Sequence, residues 1–235
     1  AMDHACPTYY LPDPERGGEE AFEKMTDAWK RAGLHIGSYF HSSAYNPFFA
    51  QADVVRSCPV SSLSPGKRPP DRVFFEANCE YSEREGKPSP PVSPDIMEKI
   101  KTHEAVIPRK YPRMCSFSRP WQDYLVFWIK EYLNRYSHCS IYHDQLGNAP
   151  QHLEFNPSLG VDGAGNGGEK MLLFLKRIKD LADASGHRDL LQIQEAVTDA
   201  FSPYAPAFTS GFHRNPEVYR YTFPDFIMYF GHGNG

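Results

Sequence analysis

The sequence predicts an α/β fold of the (β/α)8, TIM-barrel type, present as a partial barrel or an excised segment of one. Three observations predict it. Strand-like apolar runs alternate with amphipathic helices, and two of those helices stop on a glycine, Gly33 and Gly186, shortly before the next strand begins. Acidic residues close two of the strand runs: Asp144 ends Ser140-Ile141-Tyr142-His143-Asp144, and Glu195 ends Leu190-Leu191-Gln192-Ile193-Gln194-Glu195. Alternation of this kind is the pattern of a wound parallel sheet, whose ligands bind at the carboxyl ends of its strands. One β-α-β unit therefore presents two carboxyls at the same sheet edge.

The first element is a helix over residues 19–32, where Phe22, Met25, Trp29 and Ala32 recur at helical spacing and Gly33 supplies the stop. Residues 34–40, Leu-His-Ile-Gly-Ser-Tyr-Phe, then read as a buried strand. From His41 to about Met114 the periodicity gives way to Pro-rich polar sequence, including Ser64-Pro65-Gly66-Lys67-Arg68-Pro69-Pro70 and Lys87-Pro88-Ser89-Pro90-Pro91. This stretch, 41–114, is expected to be a long βα-loop insertion with a short strand at 72–76 and a short helix begun by Ser93-Pro94. Loops of that length in a compact domain tend to be functional.

The next helix has Pro120 in its first turn and carries Trp121, Tyr124, Leu125, Trp128, Ile129, Tyr132, Leu133 and Tyr136 on one face. Their i, i+3, i+4, i+7 spacing marks them as core rather than as a ligand box. A strand at 138–143 follows, then a Gly/Asn-rich loop at 147–168. A helix at 169–184 is expected to bury Met171, Leu172, Leu175, Ile178 and Leu181 and leads to a strand at 190–194. One or two further strands are expected within 219–223 and 226–230. Three βα repeats and a long loop fall short of eight. Together with the abrupt start on Ala1-Met2-Asp3 and end on Gly231-His232-Gly233-Asn234-Gly235, this suggests a piece of a larger barrel, taken as a single domain over 1–235.

Composition narrows the function. Twenty-five Lys and Arg against 29 Asp and Glu leave a net charge of −4 with no basic stripe, so nucleic acid is not an expected partner. No apolar run approaches the roughly 20 residues that span a bilayer, so no membrane is expected either. The cysteines Cys6, Cys58, Cys79, Cys115 and Cys139 form no C-x-x-C, and the 10 histidines include no H-x-H or H-E-x-x-H, so neither a metal nor another cofactor is called for. Buried, unreactive thiols are expected. The compartment stays open, with a secreted or periplasmic one in view. Aromatic residues make up 14 % of the chain, enough to line a sugar site or simply to thicken the core.

Cleavage of a glycosidic bond needs one carboxyl that donates a proton to the leaving oxygen and another that stays ionised to attack or to activate water. Asp144 and Glu195, on adjacent strands about 4.8 Å apart, suit that division. The plainer alternative is that Asp144 caps a turn and Glu195 pairs with an arginine. His143, Gln145 and Gln194 flank the acids and are of the types that hold sugar hydroxyls. Strand alternation favours Gln145 over His143. Tyr39, His41 and Asn46 end the earlier strand on the same rim, and His232 and Asn234 could join them. No G-x-S-x-G elbow and no G-x-x-x-x-G-K-[ST] loop is present, which sets aside serine-nucleophile and phosphate-loop chemistry. A metal-dependent hydrolase using His143 and Asp144 is a further alternative.

Pro120-Trp121-Gln122-Asp123-Tyr124, the run Ser140 to Gly147, the glycine-rich loop and Gln192-Ile193-Gln194-Glu195 together resemble a bacterial family of uncharacterised glycoside-hydrolase-like barrels, over roughly Gly17 to the end of the chain. An Asp after the fourth strand and a Glu after the fifth is also similar to retaining α-glycosidases such as α-amylases, dextranases and endo-α-N-acetylgalactosaminidases. The amylase-type Arg two residues before the nucleophile is Tyr142 here. The resemblance implies a glycosidase acting on a carbohydrate, α-linked and with retention, in polysaccharide degradation. Asp144 would be nucleophile and Glu195 acid/base. A carbohydrate-binding or scaffold barrel without turnover is the alternative.

Overall fold

Five short parallel strands make the sheet that carries both acids. The computed structural model describes residues 10–12, 16–43, 64, 67–68, 70–83, 87–88, 113–146, 154–159, 167–195, 199–209, 221–222, 224–225 and 227–229. The expected helix at Ser93-Pro94 and most of the glycine-rich loop lie outside these. The chain forms two compact units: residues 1–24, 43–123 and 153–165 make one, and residues 25–42, 124–152 and 166–235 the other.

The second unit holds β1 (Gly37–His41), β4 (Ser140–Asp144), β5 (Leu191–Glu195), β6 (Ala207–Thr209) and β7 (Ile227–Tyr229), ordered β1-β4-β5-β6-β7 and parallel throughout. The parallel neighbours expected from the helix–strand alternation, β1, β4 and β5, are found in that order. Among the described residues the sheet is open rather than a closed eight-stranded barrel. Of the strands expected near the end, the second is β7. The first is not one, because Tyr221 and Thr222 are helical.

Four helices accompany the strands along the chain: α1 (Gly18–Arg31), α2 (Arg72–Asn78), α3 (Arg119–Tyr136) and α4 (Gly167–Ala184). In α3 the aromatic face is core as its spacing requires: Trp121, Leu125, Trp128, Ile129, Tyr132, Leu133 and Tyr136 are all buried. Its Tyr132 ring meets Phe40 of β1 edge-on at 5.6 Å. Helix α4 buries Met171, Phe174, Leu175, Ile178 and Ala182, leaving Leu172 and Leu181 half-buried. Among the described residues no helix is long and apolar enough to cross a membrane.

Helix α1 departs from its apolar spacing. Trp29 is 42 % exposed and Leu34, expected inside a strand, 57 %. The helix closes with Gly33 at φ +74°, its N–H on the Lys30 carbonyl and the Leu34 N–H on the Trp29 carbonyl. That is the glycine closure in which the residue after the glycine and the one five positions earlier form the apolar pair of the cap. Leu34 thus belongs to the helix stop, and the strand begins only at Gly37. Gly186, at φ +85°, ends α4 with the same pattern of bonds.

The first unit contains much of the Pro-rich excursion, and the segment expected as a strand at 72–76 is helix α2. Its cause is local: Asp71 accepts the Phe74 N–H at 2.9 Å and caps the turn. A short antiparallel pair follows, β2 (Tyr81–Glu83) and β3 (Lys87–Pro88). Glu154, buried, receives the N–H of Tyr81 at 2.9 Å and of Asn156 at 2.7 Å, while the Asn156 amide donates to the Cys79 carbonyl. Burial raises the thiol pKa of Cys79 to about 12 and that of Cys115 further, so both stay protonated and inert, as expected. The described cysteines are free.

Candidate active site

Alternation along the strands divides the candidate residues between two faces. Ser38 and Phe40 on β1, Ile141 and His143 on β4, and Gln192 and Gln194 on β5 are all buried. The intervening positions, Tyr39, Tyr142, Asp144 and Ile193, are half-buried, and with His41 and Glu195 they form the opposite face. The register places Tyr39 beside Tyr142 beside Ile193, and His41 beside Asp144. Glu195 stands beside Thr209 of β6.

At the carboxyl edge of this second face the polar groups converge. The Tyr39 hydroxyl donates to Oδ2 of Asp144, and His41 Nε2 lies 3.0 Å from the same oxygen. The Asp144 carbonyl accepts from Ser42 twice, from Oγ at 2.8 Å and from N at 3.2 Å, which fixes the strand end from its neighbour. Beyond Asp144 the chain turns at Gln145 with φ +58°, a left-handed conformation that costs a non-glycine residue about 1 kcal/mol. That turn aims the Gln145 N–H at Oε2 of Glu195, 2.6 Å away. Strain of this kind concentrates at functional sites.

The Glu195 carboxyl is hydrogen-bonded to Asp144, and its pKa rises to about 7. Burial is the largest cause, followed by the bond to Asp144 and the negative charge beside it, against a smaller opposing effect of the Gln145 N–H. Burial likewise raises Tyr39 and Tyr142, the latter to about 12, and the neighbouring acids reinforce both shifts. Tyr142 stacks on Tyr39 with ring centroids 5.5 Å apart, and its hydroxyl is 3.4 Å from Oγ1 of Thr209. A carboxyl able to carry a proton near neutrality thus sits beside a second carboxyl that accepts from Tyr39 and has His41 Nε2 at 3.0 Å.

The structure brings together Asp144, Glu195, Tyr39, His41 and, through its backbone, Gln145. It does not bring His143 or Gln194 to this rim. The Gln192 amide donates to the carbonyls of Leu175 and Tyr204, each at 3.0 Å, which turns its oxygen toward His143 and makes His143 Nε2 the donor of their 3.0 Å bond. The His143 ring packs against Phe174, and burial lowers its pKa to about 4. Gln194 donates to the Ala205 carbonyl at 3.1 Å. Because His143 and Asp144 face opposite ways, they cannot share one metal ion. The turn-cap alternative for Asp144 and the arginine partner for Glu195 are replaced by the contacts above. His232, Asn234 and Asn46 lie outside the described residues.

Two contributors went unread in the sequence. Tyr142 could have been found by alternation, two residues before Asp144. Thr209 could not, because Ala207-Phe208-Thr209 is too short a run to show a period.

No family model matches this chain, and no curated protein does. Among solved structures it is similar to the ligand-free α-N-acetylgalactosaminidase NagBb from Bifidobacterium bifidum, with a TM-score of 0.56 and 16 % identity over 95 % of this chain. It also matches the noncanonic maltogenic α-amylase AmyB from Thermotoga neapolitana, with a TM-score of 0.43 and 10 % identity over 85 % of this chain. The chain spans 29 % of the first protein and 34 % of the second. The likeness to NagBb is one of fold.

Proposed function

We propose that this chain carries the carboxyl pair of a glycoside hydrolase that cleaves an α-linked sugar with retention, Asp144 acting as nucleophile and Glu195 as acid/base. The observation that supports this best is the Glu195 carboxyl, protonated up to about pH 7 and hydrogen-bonded to Asp144. A carboxyl that holds a proton near neutrality beside a second carboxyl is the pairing glycosidic cleavage needs. Retaining pairs stand about 5 to 5.5 Å apart and inverting pairs about 6.5 to 9.5 Å, leaving room for water. The Gln145 N–H, one residue beyond Asp144, reaches Oε2 of Glu195 at 2.6 Å, which supports the nearer class. The α-linkage is supported by the likeness to NagBb, whose name gives it an α-N-acetylgalactosaminide.

The test is a panel of aryl α-glycosides, including the α-N-acetylgalactosaminide, with the anomer of the first product followed by proton NMR. Wild-type protein should release sugar with retained configuration, and Asp144→Asn should abolish release. Glu195→Gln should lose little on a substrate whose leaving group needs no protonation and far more on an ordinary glycoside. Sugar binding without release from any of the panel would replace this reading by a carbohydrate-binding barrel. Release of the inverted anomer would overturn the nucleophile role of Asp144.

A further inference from the structure

We propose that Tyr39 and His41 are positioning residues that grip one oxygen of the nucleophile, Oδ2 of Asp144, and leave its other oxygen to react, a role that rests on the glycosidase reading above. From their place on the rim both residues are expected to contact substrate. Their polar atoms are instead engaged with the acid: the Tyr39 hydroxyl donates to Oδ2, and His41 Nε2 approaches the same atom at 3.0 Å. The two belong to one strand, two residues apart, so they share a face, and the register sets His41 directly beside Asp144.

Convergence on a single oxygen has a chemical consequence. A carboxylate attacking a sugar carbon uses one oxygen, and an orientation fixed through the other keeps the attacking one on line. The His41 and Asp144 side chains are only 9 % and 13 % exposed, so water competes little for these bonds. The backbone is locked as well, since Ser42 holds the Asp144 carbonyl through both N–H and hydroxyl. Tyr142 braces Tyr39 by stacking, while its own hydroxyl turns to Thr209. Burial and the adjacent acids keep the Tyr39 hydroxyl protonated, so it remains a donor across the working range. The titratable groups of the described residues that face the pair are Tyr39 and His41 from β1 and Tyr142 from β4.

The experiment compares Tyr39→Phe, which keeps the ring and its stacking, with His41→Ala and His41→Gln. On a cleaved aryl glycoside, Tyr39→Phe and His41→Ala should each lower kcat by about ten- to a hundredfold, the worth of one hydrogen bond to a charged group, with KM within about twofold. His41→Gln, which retains an N–H donor, should recover a large part of that loss. A rise in KM with kcat preserved would assign the two residues to substrate and overturn the proposal. A second measurement needs no substrate. In wild-type protein at pH 6 the carbon-13 signal of the Glu195 carboxyl should sit at its protonated position. In the Tyr39→Phe/His41→Ala double variant it should move away from that position, because an Asp144 no longer fixed through Oδ2 changes the hydrogen bond and the neighbouring charge that raise the Glu195 pKa. An unmoved signal would overturn positioning. Absence of turnover in the wild type would count against the glycosidase reading alone, and the carboxyl signal would still decide the role of Tyr39 and His41.

Discussion

The two faces of the sheet both bury polar side chains, and they use them in opposite ways. Toward α4, His143, Gln192 and Gln194 form a neutral network in which the Gln192 amide donates to two backbone carbonyls and accepts from His143. Each bond there joins neutral groups, and burial keeps the imidazole uncharged. On the other face, Tyr39 and Gln145 direct donors at two adjacent carboxyls, His41 Nε2 lies 3.0 Å from one of them, and the Glu195 carboxyl has a pKa raised to about 7. Neutral amide and imidazole groups tied to backbone carbonyls hold the core in place. An acid whose pKa lies near neutrality beside a second carboxyl can exchange a proton there, and that separates a structural polar cluster from a chemical one.

The largest test of this contrast is Asp144→Asn, expected to lower kcat/KM by at least about a thousandfold while leaving the urea midpoint near wild type. A variant that unfolds instead would make the acid face structural after all. On the opposite face Gln192→Leu should do the reverse. It strands the His143 N–H and the carbonyls of Leu175 and Tyr204, so urea titration should show a loss of about 1–3 kcal/mol, with kcat/KM of the folded protein unchanged within about twofold.

Dependence on pH sharpens the contrast further. The Glu195 acid must hold its proton, so kcat/KM should fall as pH rises through about 7, and the fall should shrink on substrates with activated leaving groups. The same raised pKa means that the folded state binds this proton more tightly than the unfolded chain. Its contribution to stability is therefore full below the ordinary Glu value of 4.5 and is lost as pH rises through 7, a trend that Glu195→Gln should remove from melting curves at pH 5 and 8. The other face responds to pH with the opposite sign. Burial lowers both His138 and His143 to about 4, so their contribution is present above the ordinary value of 6.5 and is lost as pH falls toward 4. Urea midpoints at pH 7, 5 and 4 should decline, and the decline should be shallower in His143→Gln.

Much of this was legible along the chain. The helix stops at Gly33 and Gly186 and the aromatic face of α3 follow from residues within a few positions of one another, and local patterns survive into the fold. The placement of Asp144 and Glu195 at strand ends was legible for the same reason. The misreadings share a cause. Val73-Phe74-Phe75, between Arg72 and Glu76, is an apolar run short enough to pass for a strand, and one cap bond from Asp71 decided for helix. Trp29 keeps helical spacing, yet the spacing does not say whether a partner covers it. His143 and Gln194 are of the sugar-gripping types, and only the packing of α4 and the stretch around Ala205 against their face turned them inward.

By itself, then, the sequence determined the alternation of helix and strand, the parity that puts Tyr39 with His41 on one side of their strand and Tyr142 with Asp144 on one side of theirs, and the identity of the two acids. These depend on periods of 2 and 3.6 and on single caps, which are properties of neighbouring residues. Only the tertiary structure decided which strands lie side by side, that Tyr39 and His41 both reach the same oxygen of Asp144, and that the Gln145 backbone rather than its side chain serves Glu195. The proton affinity of Glu195 belongs with these, because burial and an adjacent charge come from residues some 50 positions away in the chain, brought close by a strand register that no local pattern encodes.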